Sequence, residues 1–221
     1  MNIKGIIFDL DGVIVDTAHF HYLAWKKTAA ILGFELTPEL NEQLKGVSRI
    51  DSLQKILSWG GIEISQERFD YLTSDKNVDY LSHVATMGEN DVLPGVREYI
   101  IKLKEEGYKV SLGSASKNAR HILERVNMLD MFDAIVDGTN VTAAKPDPEV
   151  FLQGATLLDL PAEQCLVFED SKAGVTAANN GGMISIGIGK VAHLSHADFV
   201  FEDFTKIPTD FIKNLSREKI K

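Results

Sequence analysis

Apolar residues in this chain fall into short continuous runs separated by longer stretches of helical spacing, the pattern of strands buried on both faces of a parallel sheet alternating with helices. Ile6, Ile7 and Phe8 form the first run. Tyr108 to Leu112, Ala134 to Asp137 and Cys165 to Phe168 are later ones, and a last strand is expected near Phe199. From about Ala18 to about Ala85 strand signals are few. There Phe20, Leu23, Ala24, Lys27 and Ile31 follow one helical stripe that Gly33 stops; Thr37-Pro38 starts a second helix, and Ser48 with Asp51, spaced like a capping box, starts a third. Strand–helix alternation resumes at Leu93-Pro94-Gly95. The expected fold class is α/β: a doubly wound, mainly parallel sheet core of residues 1–16 and 87–221, with a helical cap domain of residues 17–86 inserted into it. Two connecting segments of chain leave such a cap free to open and close, and closing excludes water.

Chemistry sits at the strand ends. Asp9 and Asp11 follow Phe8 directly, and on extended backbone residues two apart share a side, so both carboxylates can face a crevice at the carboxyl end of the strand. Gly12 then lets the chain turn. Two acids so close repel unless a cation lies between them or one keeps its proton, which sets them apart from a solvated acidic turn and points to an aspartyl-phosphate enzyme. The later runs end likewise in chemistry: Gly113-Ser114-Ala115-Ser116-Lys117-Asn118 after the second, Lys145-Pro146-Asp147-Pro148 after the third with a helix expected at the prolines, and Glu169-Asp170 after the fourth, where Ser171 opens a helix.

Acid pair, hydroxyl, lysine and acid pair in this order resemble the four motifs of the haloacid-dehalogenase-like phosphotransferase superfamily, matched by Asp9/Asp11, Ser114, Lys145 and Glu169/Asp170 over almost the whole chain. The resemblance implies a Rossmann-like core with its cap after the first motif, and a role for each residue. Asp9 would be the nucleophile and Asp11 the general acid/base. Asp9, the main-chain carbonyl of Asp11, Glu169 (directly or through water) and Asp170 form an all-oxygen shell suited to Mg2+, the expected cofactor. Lys145 would offset the remaining negative charge, and Ser114 would bind phosphoryl oxygens with the backbone N–H groups after it.

Composition narrows the class without changing it. The 221 residues, 44% hydrophobic and 25% charged, suffice for one substantial core and a smaller one. Cys165 is the only cysteine, so no internal disulfide forms, and its place in a strand predicts a packed thiol. A net charge of −9 argues against nucleic acid or an anionic membrane as partner. With no apolar stretch long enough to span a bilayer, and Asp9 reached before a signal-peptide core could form, the expected location is cytoplasmic; the expected state is a monomer.

An anionic substrate must then be captured by a local basic cluster, and the expected cap holds one. In Gln43-Leu44-Lys45-Gly46-Val47-Ser48-Arg49 a glycine permitting close backbone approach is flanked by basic residues, and Arg49 falls in the first turn of a helix, where a cation is electrostatically misplaced unless something negative faces it. The alternative is a solvated loop. This stretch, together with Asp16-Thr17-Ala18, His21, Trp25, Lys76-Asn77 and Ser114 to Asn118, closely resembles the hexose-phosphate mutases of that superfamily. The resemblance implies interconversion of β-glucose 1-phosphate and glucose 6-phosphate through β-glucose 1,6-bisphosphate. It places His21, Trp25, Lys45, Gly46, Val47, Arg49, Ser52 and Lys76 on the cap side of the substrate, Ser116, Lys117 and Asn118 on the core side, and Thr17 at the hinge. Trp25 fits core or sugar platform equally, and His21 fits a packing role as well. The segment around Trp59-Gly60-Gly61 and the C-terminal third depart from the mutase pattern. Rival readings are a magnesium-dependent sugar-phosphate phosphatase on the same scaffold, a dehalogenase, which needs neither the second aspartate nor the last acid pair, and a silent binding module, against which every catalytic position is filled by a competent residue.

Overall fold

The computed structural model describes residues 2–215, so the outermost parts of the expected core, residue 1 and residues 216–221, lie outside the described residues. Strand β1 (Gly5–Phe8) is buried along its length, as a run of apolar residues covered on both faces must be. Helices α1 (Ala18–Ile31), α2 (Pro38–Glu42), α3 (Arg49–Gly60) and α4 (Gln66–Val84) follow it. Alternation then resumes with α5 (Val96–Glu105), β2 (Lys109–Gly113), α6 (Ala119–Arg125), β3 (Ala134–Val136), α7 (Glu149–Leu157), β4 (Cys165–Glu169), α8 (Lys172–Asn180), β5 (Ile184–Ile188), α9 (Val191–Leu194), β6 (Phe199–Phe201) and α10 (Phe211–Leu215). Every strand pair is parallel, in the order β3-β2-β1-β4-β5-β6.

That order places the site. The chain winds outward from β1 to β3 and returns beside β1 as β4, so the winding reverses between β1 and β4, the position at which open α/β sheets bind ligands beyond the strand ends. Phe8 is in register with Leu112 and Phe168, which levels the ends of β1, β2 and β4. Alternate side chains of β1 enter different cores: Phe8 stacks on Phe168 (centroids 5.0 Å) and Phe204 (5.9 Å), whereas Ile7 packs with Val167, Val136 and Phe151 on the other face. Cys165 is a buried free thiol whose pKa is pushed up to about 11 by burial and then by Glu163.

Helices α1, α3 and α4 enclose a separate apolar cluster of Trp25, Ala29, Leu36, Leu44, Leu53, Ile56 and Leu72. The expected stripe on α1 is corrected here. Leu23, Lys27 and Ile31 are exposed, and the buried face is Ala24, Trp25, Thr28 and Ala29. Thr28 escapes an apolar search because its hydroxyl is satisfied by the Ala24 carbonyl at 3.0 Å. At α3 the N-cap Ser48 accepts from Asp51 N–H at 3.2 Å, but its hydroxyl also donates to the Asp51 carboxylate at 2.6 Å, a variant of the expected reciprocal box.

Candidate active site

Asp9 leaves β1 with 5% of its surface exposed, and the buried Lys145 ammonium lies 2.6 Å from its Oδ1 and 2.7 Å from Glu169 Oε1. The other Glu169 oxygen accepts from Ser171 N–H at 2.7 Å and from its hydroxyl at 2.9 Å. Asp9, Glu169 and Asp170 each present an oxygen within 4.8 Å of the others. Burial raises the Asp9 pKa, opposed by Lys145 and reinforced by Glu169, Asp11 and Asp170. Asp170 is raised as well, by burial and then by Glu169. The Lys145 pKa is raised too, which for a base favours the charged form, since its two carboxylates outweigh the cost of burying it. Buried acids in excess over one lysine are the donor set of a hard divalent cation, whose charge would relieve the repulsion. Gly12 allows this crowding: at φ +82 it passes so close to Asp170 that a Cβ would fall 2.3 Å from Oδ2.

Asp11 is held from the side of α1. Thr17 donates a hydrogen bond to its Oδ1, and His21 Nε2 is 3.7 Å from the same oxygen. Burial raises the Asp11 pKa, but contacts with His21 and Thr17 and the charge of Lys76 outweigh it, and the net shift is downward. Asp11 is thus kept as a carboxylate. Lys76 Nζ lies 2.8 Å from His21 Nδ1 and over the rings of Trp25 (5.0 Å) and Tyr80 (4.7 Å). Trp25 is 3% exposed and belongs to the helical core while edging the cavity.

A cavity of about 650 Å³ joins these groups. One wall is Asp9, Asp11, Asp170 and residues Ser114 to Asn118; the other is His21, Trp25, Leu44 to Ser52, Thr73, Ser74, Lys76 and Asn77. Thr17, Lys145 and Glu169 lie behind the wall, each buried: Thr17 bonds Asp11, and Lys145 bonds both Asp9 and Glu169. In the turn after β2, Ser114 Oγ accepts from Ser116 N–H at 3.1 Å, and Ser116 Oγ from Asn118 N–H at 3.2 Å, which leaves each hydroxyl proton available. Besides the His21–Asp11 contact, the walls meet at other places. Lys45 Nζ is 3.3 Å from Asp170 Oδ2; Asn118 donates to Asn77 at 3.0 Å; and Gly46, at φ +69, approaches α8 so closely that a Cβ would lie 2.7 Å from Ser171 Oγ. Ser52 is buried in α3.

Arg49 is half-buried in the first turn of α3, and among the described residues its hydrogen-bond partner is the Thr73 carbonyl at 3.4 Å. No carboxylate lies within ion-pair distance of it among the described residues. Sequence reading missed Thr73, which acts through its main chain and leaves no side-chain signal. It also missed the grip of Ser171 on Glu169, which a hydroxyl two residues beyond a buried acid does announce.

Burial and the charge of Arg49 push the Lys76 pKa down to about 7. Folding therefore disfavours its ammonium, a penalty that is full at and below about 7 and fades as pH rises toward the ordinary lysine value near 10.5. Lys76→Met is expected to raise the melting temperature at pH 6 and to raise it less at pH 9. Thermal denaturation at the two pH values checks this, and an equal or inverted change would contradict it.

Known proteins place this arrangement. A haloacid dehalogenase-like hydrolase family model matches residues 3–182. The chain is 39% identical to a beta-phosphoglucomutase of Bacillus subtilis over 95% of its own length and 93% of that protein's. It is 33% identical to a phosphorylated carbohydrates phosphatase of Thermotoga maritima, covering 81% of this chain and 82% of that one. Among solved structures, a beta-phosphoglucomutase from Clostridium difficile superposes with a TM-score of 0.93 at 37% identity, over 97% of each chain. With its sheet order, its acid cluster and its lysine at the end of β1, the chain belongs to the haloacid dehalogenase-like hydrolase family.

Proposed function

We propose that the chain is an intramolecular phosphotransferase, a mutase interconverting β-glucose 1-phosphate and glucose 6-phosphate through an aspartyl phosphate on Asp9 and β-glucose 1,6-bisphosphate. The helical residues 17–86 form a cap that closes over the core of residues 1–16 and 87–221. Mg2+ is the cofactor, held by Asp9, Asp170 and the Asp11 carbonyl, with Glu169 contributing its charge or a bridging water because both its oxygens already have partners. When bound, it neutralises phosphoryl oxygens and favours in-line transfer.

The placement of the side chains supports a cycle of two half-reactions. With Asp9 phosphorylated, a sugar hydroxyl attacks phosphorus while Asp11, kept ionised by Thr17 and His21, takes its proton, and the P–O bond to Asp9 breaks. Asp9 recovers its carboxylate beside Lys145. The bisphosphate then turns round, the other phosphate meets Asp9, Asp9 oxygen attacks it, and Asp11 returns its proton to the departing sugar oxygen. Ser114, with the backbone N–H groups of the following turn, holds the phosphoryl oxygens in both halves, and Lys145 balances the charge on Asp9. Lys45, Gly46, Val47, Ser52 and Lys76 line the cap side of the sugar phosphate, with Ser116, Lys117 and Asn118 opposite. No described helix is long and apolar enough to cross a membrane. The enzyme works in the cytoplasm as a monomer, and its net charge of −9 leaves nucleic acid out of its partners.

Arg49 carries this reading. A guanidinium at the start of a helix, lining the cavity from the wall facing Asp9 and lacking a carboxylate partner among the described residues, suits the phosphate that is not reacting. Hydrolysis of a phosphate monoester has no such second phosphate to hold. Arg49→Ala is expected to lower kcat/KM for β-glucose 1-phosphate at least about tenfold, since a charge-assisted contact is worth roughly 1.5 to 3 kcal/mol, and to leave acetyl phosphate hydrolysis nearly intact. A coupled glucose 6-phosphate assay run beside phosphate release decides it. Equal losses in the two assays, or none in either, would return the phosphatase reading to the front.

A further inference from the structure

Lys145 belongs to the long connection between β3 and α7, residues 137–148, of which Val141 to Ala144 line the cavity. Its ammonium has to serve Asp9 at 2.6 Å and Glu169 at 2.7 Å together, with 1% of the side chain exposed. A lysine stem cannot lengthen, so the ammonium stays between the two acids only while the main chain that carries it keeps its place. Connections of this kind owe their position to a few hydrogen bonds. Two of them flank Lys145 along the chain. Beyond it, Asp147 N–H donates to the Ala144 carbonyl at 3.0 Å; before it, Ala143 N–H donates to Glu149 Oε2 at 2.7 Å.

Glu149 opens α7, where an acid is favoured by the helix dipole alone, but the dipole asks only for a carboxylate near the helix start. Glu149 turns back to the loop instead. The same Oε2 accepts from Thr142 N–H at 2.9 Å and from the Thr142 hydroxyl at 3.1 Å. Its Oε1 accepts from Gln153 at 3.0 Å, and Gln153 also donates to the Asn140 carbonyl at 3.3 Å. No lysine, arginine or histidine pairs with Glu149 among the described residues. The bond from Ala143 N–H, opposed by burial and joined by those from Thr142 and Gln153, holds its carboxyl below the usual glutamate value. Residues two apart on a helix face different ways, and Phe151 accordingly meets Lys145 from the buried side, its ring centre 4.6 Å from the ammonium. Helix α7 thus touches Lys145 at its tip and the loop before it at Thr142 and Ala143. We propose that Glu149 is a positioning residue for Lys145: by fixing Thr142 and Ala143 it fixes the main chain from which Lys145 reaches Asp9 and Glu169. This rests on the reading of Lys145 as the group that balances the charge on Asp9.

Glu149→Ala and Glu149→Gln test it. Glu149→Ala is expected to lower kcat for β-glucose 1-phosphate about tenfold and to leave KM within roughly twofold, because Lys145 bonds Asp9 behind the cavity wall rather than the sugar. Acetyl phosphate hydrolysis should fall by the same factor, unlike in Arg49→Ala, since both reactions pass through Asp9. Glu149→Gln keeps an oxygen that can accept the same N–H groups but loses the charge that strengthens those bonds, so its kcat should fall about threefold. Amine acetylation read by peptide mass spectrometry reports the position of Lys145 directly. Shielded in the wild type, Lys145 should label several-fold faster in Glu149→Ala and less so in Glu149→Gln, with the exposed Lys27 unchanged as the standard. In whichever variant is folded, an unchanged kcat overturns the proposal, and so does a loss of rate without faster labelling of Lys145. The wild-type mutase assay judges the function separately: were it negative, the labelling and the acetyl phosphate rates would keep their meaning.

Discussion

Asp9→Asn is expected to abolish mutase turnover in a protein that remains folded. The amide cannot form an acyl phosphate, and removing a covalent nucleophile from a set of residues that act as a unit costs on the order of a million-fold. Folding is expected to survive for two reasons. Lys145 keeps a carboxylate partner, Glu169 at 2.7 Å, so its buried charge is not orphaned. Burial also raises the Asp9 pKa, which means that the fold already disfavours the charge the substitution removes. Metal affinity should drop, since one of three clustered carboxylates is gone. The coupled glucose 6-phosphate assay, intact-protein mass after incubation with acetyl phosphate, and thermal denaturation together check this. Substantial turnover, or a mass gain of one phosphate, in a verified Asp9→Asn preparation would remove Asp9 from the nucleophile's place.

Asp11→Asn should separate chemistry from binding. The amide fits the same space and can still accept from Thr17, but it can neither take nor return a proton, so kcat is expected to fall by roughly 100- to 10,000-fold while KM changes little. Because Asp11 is assigned to the metal through its main-chain carbonyl, magnesium affinity should stay near the wild-type value. The downward shift of the Asp11 pKa adds a signature in pH: the wild type keeps its base through the acidic range until pH falls through that lowered value, and the variant has no such limb to lose. A near-normal rate would sink the acid/base role. Magnesium affinity lost with chemistry otherwise intact would move the Asp11 side chain into the metal shell.

What the sequence determines here is what short stretches of chain determine physically. A strand covered on both faces has to be an apolar run, and the residue after it has to lie at the sheet edge, so β1, β4 and the acids Asp9, Glu169 and Asp170 could be placed without a structure. The boundaries of β2 shifted by one residue, from Tyr108–Leu112 to Lys109–Gly113, which left Ser114 just beyond the strand. Helix starts were equally legible at Thr37, Ser48 and Ser171, since each cap bonds an N–H three residues on. Family resemblance, rather than spacing, pointed to Lys76 and Ser116.

Only the tertiary structure decided which distant groups meet. Lys145 and Asp9 are 136 positions apart, and no local pattern states that one ammonium serves both Asp9 and Glu169; the parallel register of β1 and β4 does. The inward face of α1 could not be read from hydrophobicity, because packing against α4 selected Thr28, satisfied by its own helix, over Leu23 and Ile31. Arg49 could be called misplaced from sequence, but that it lacks a carboxylate among the described residues and meets a main-chain carbonyl depends on where α4 comes to rest. Burial and pairing are properties of the folded surroundings, and they, rather than residue type, set the charge and the freedom of the groups that do the chemistry.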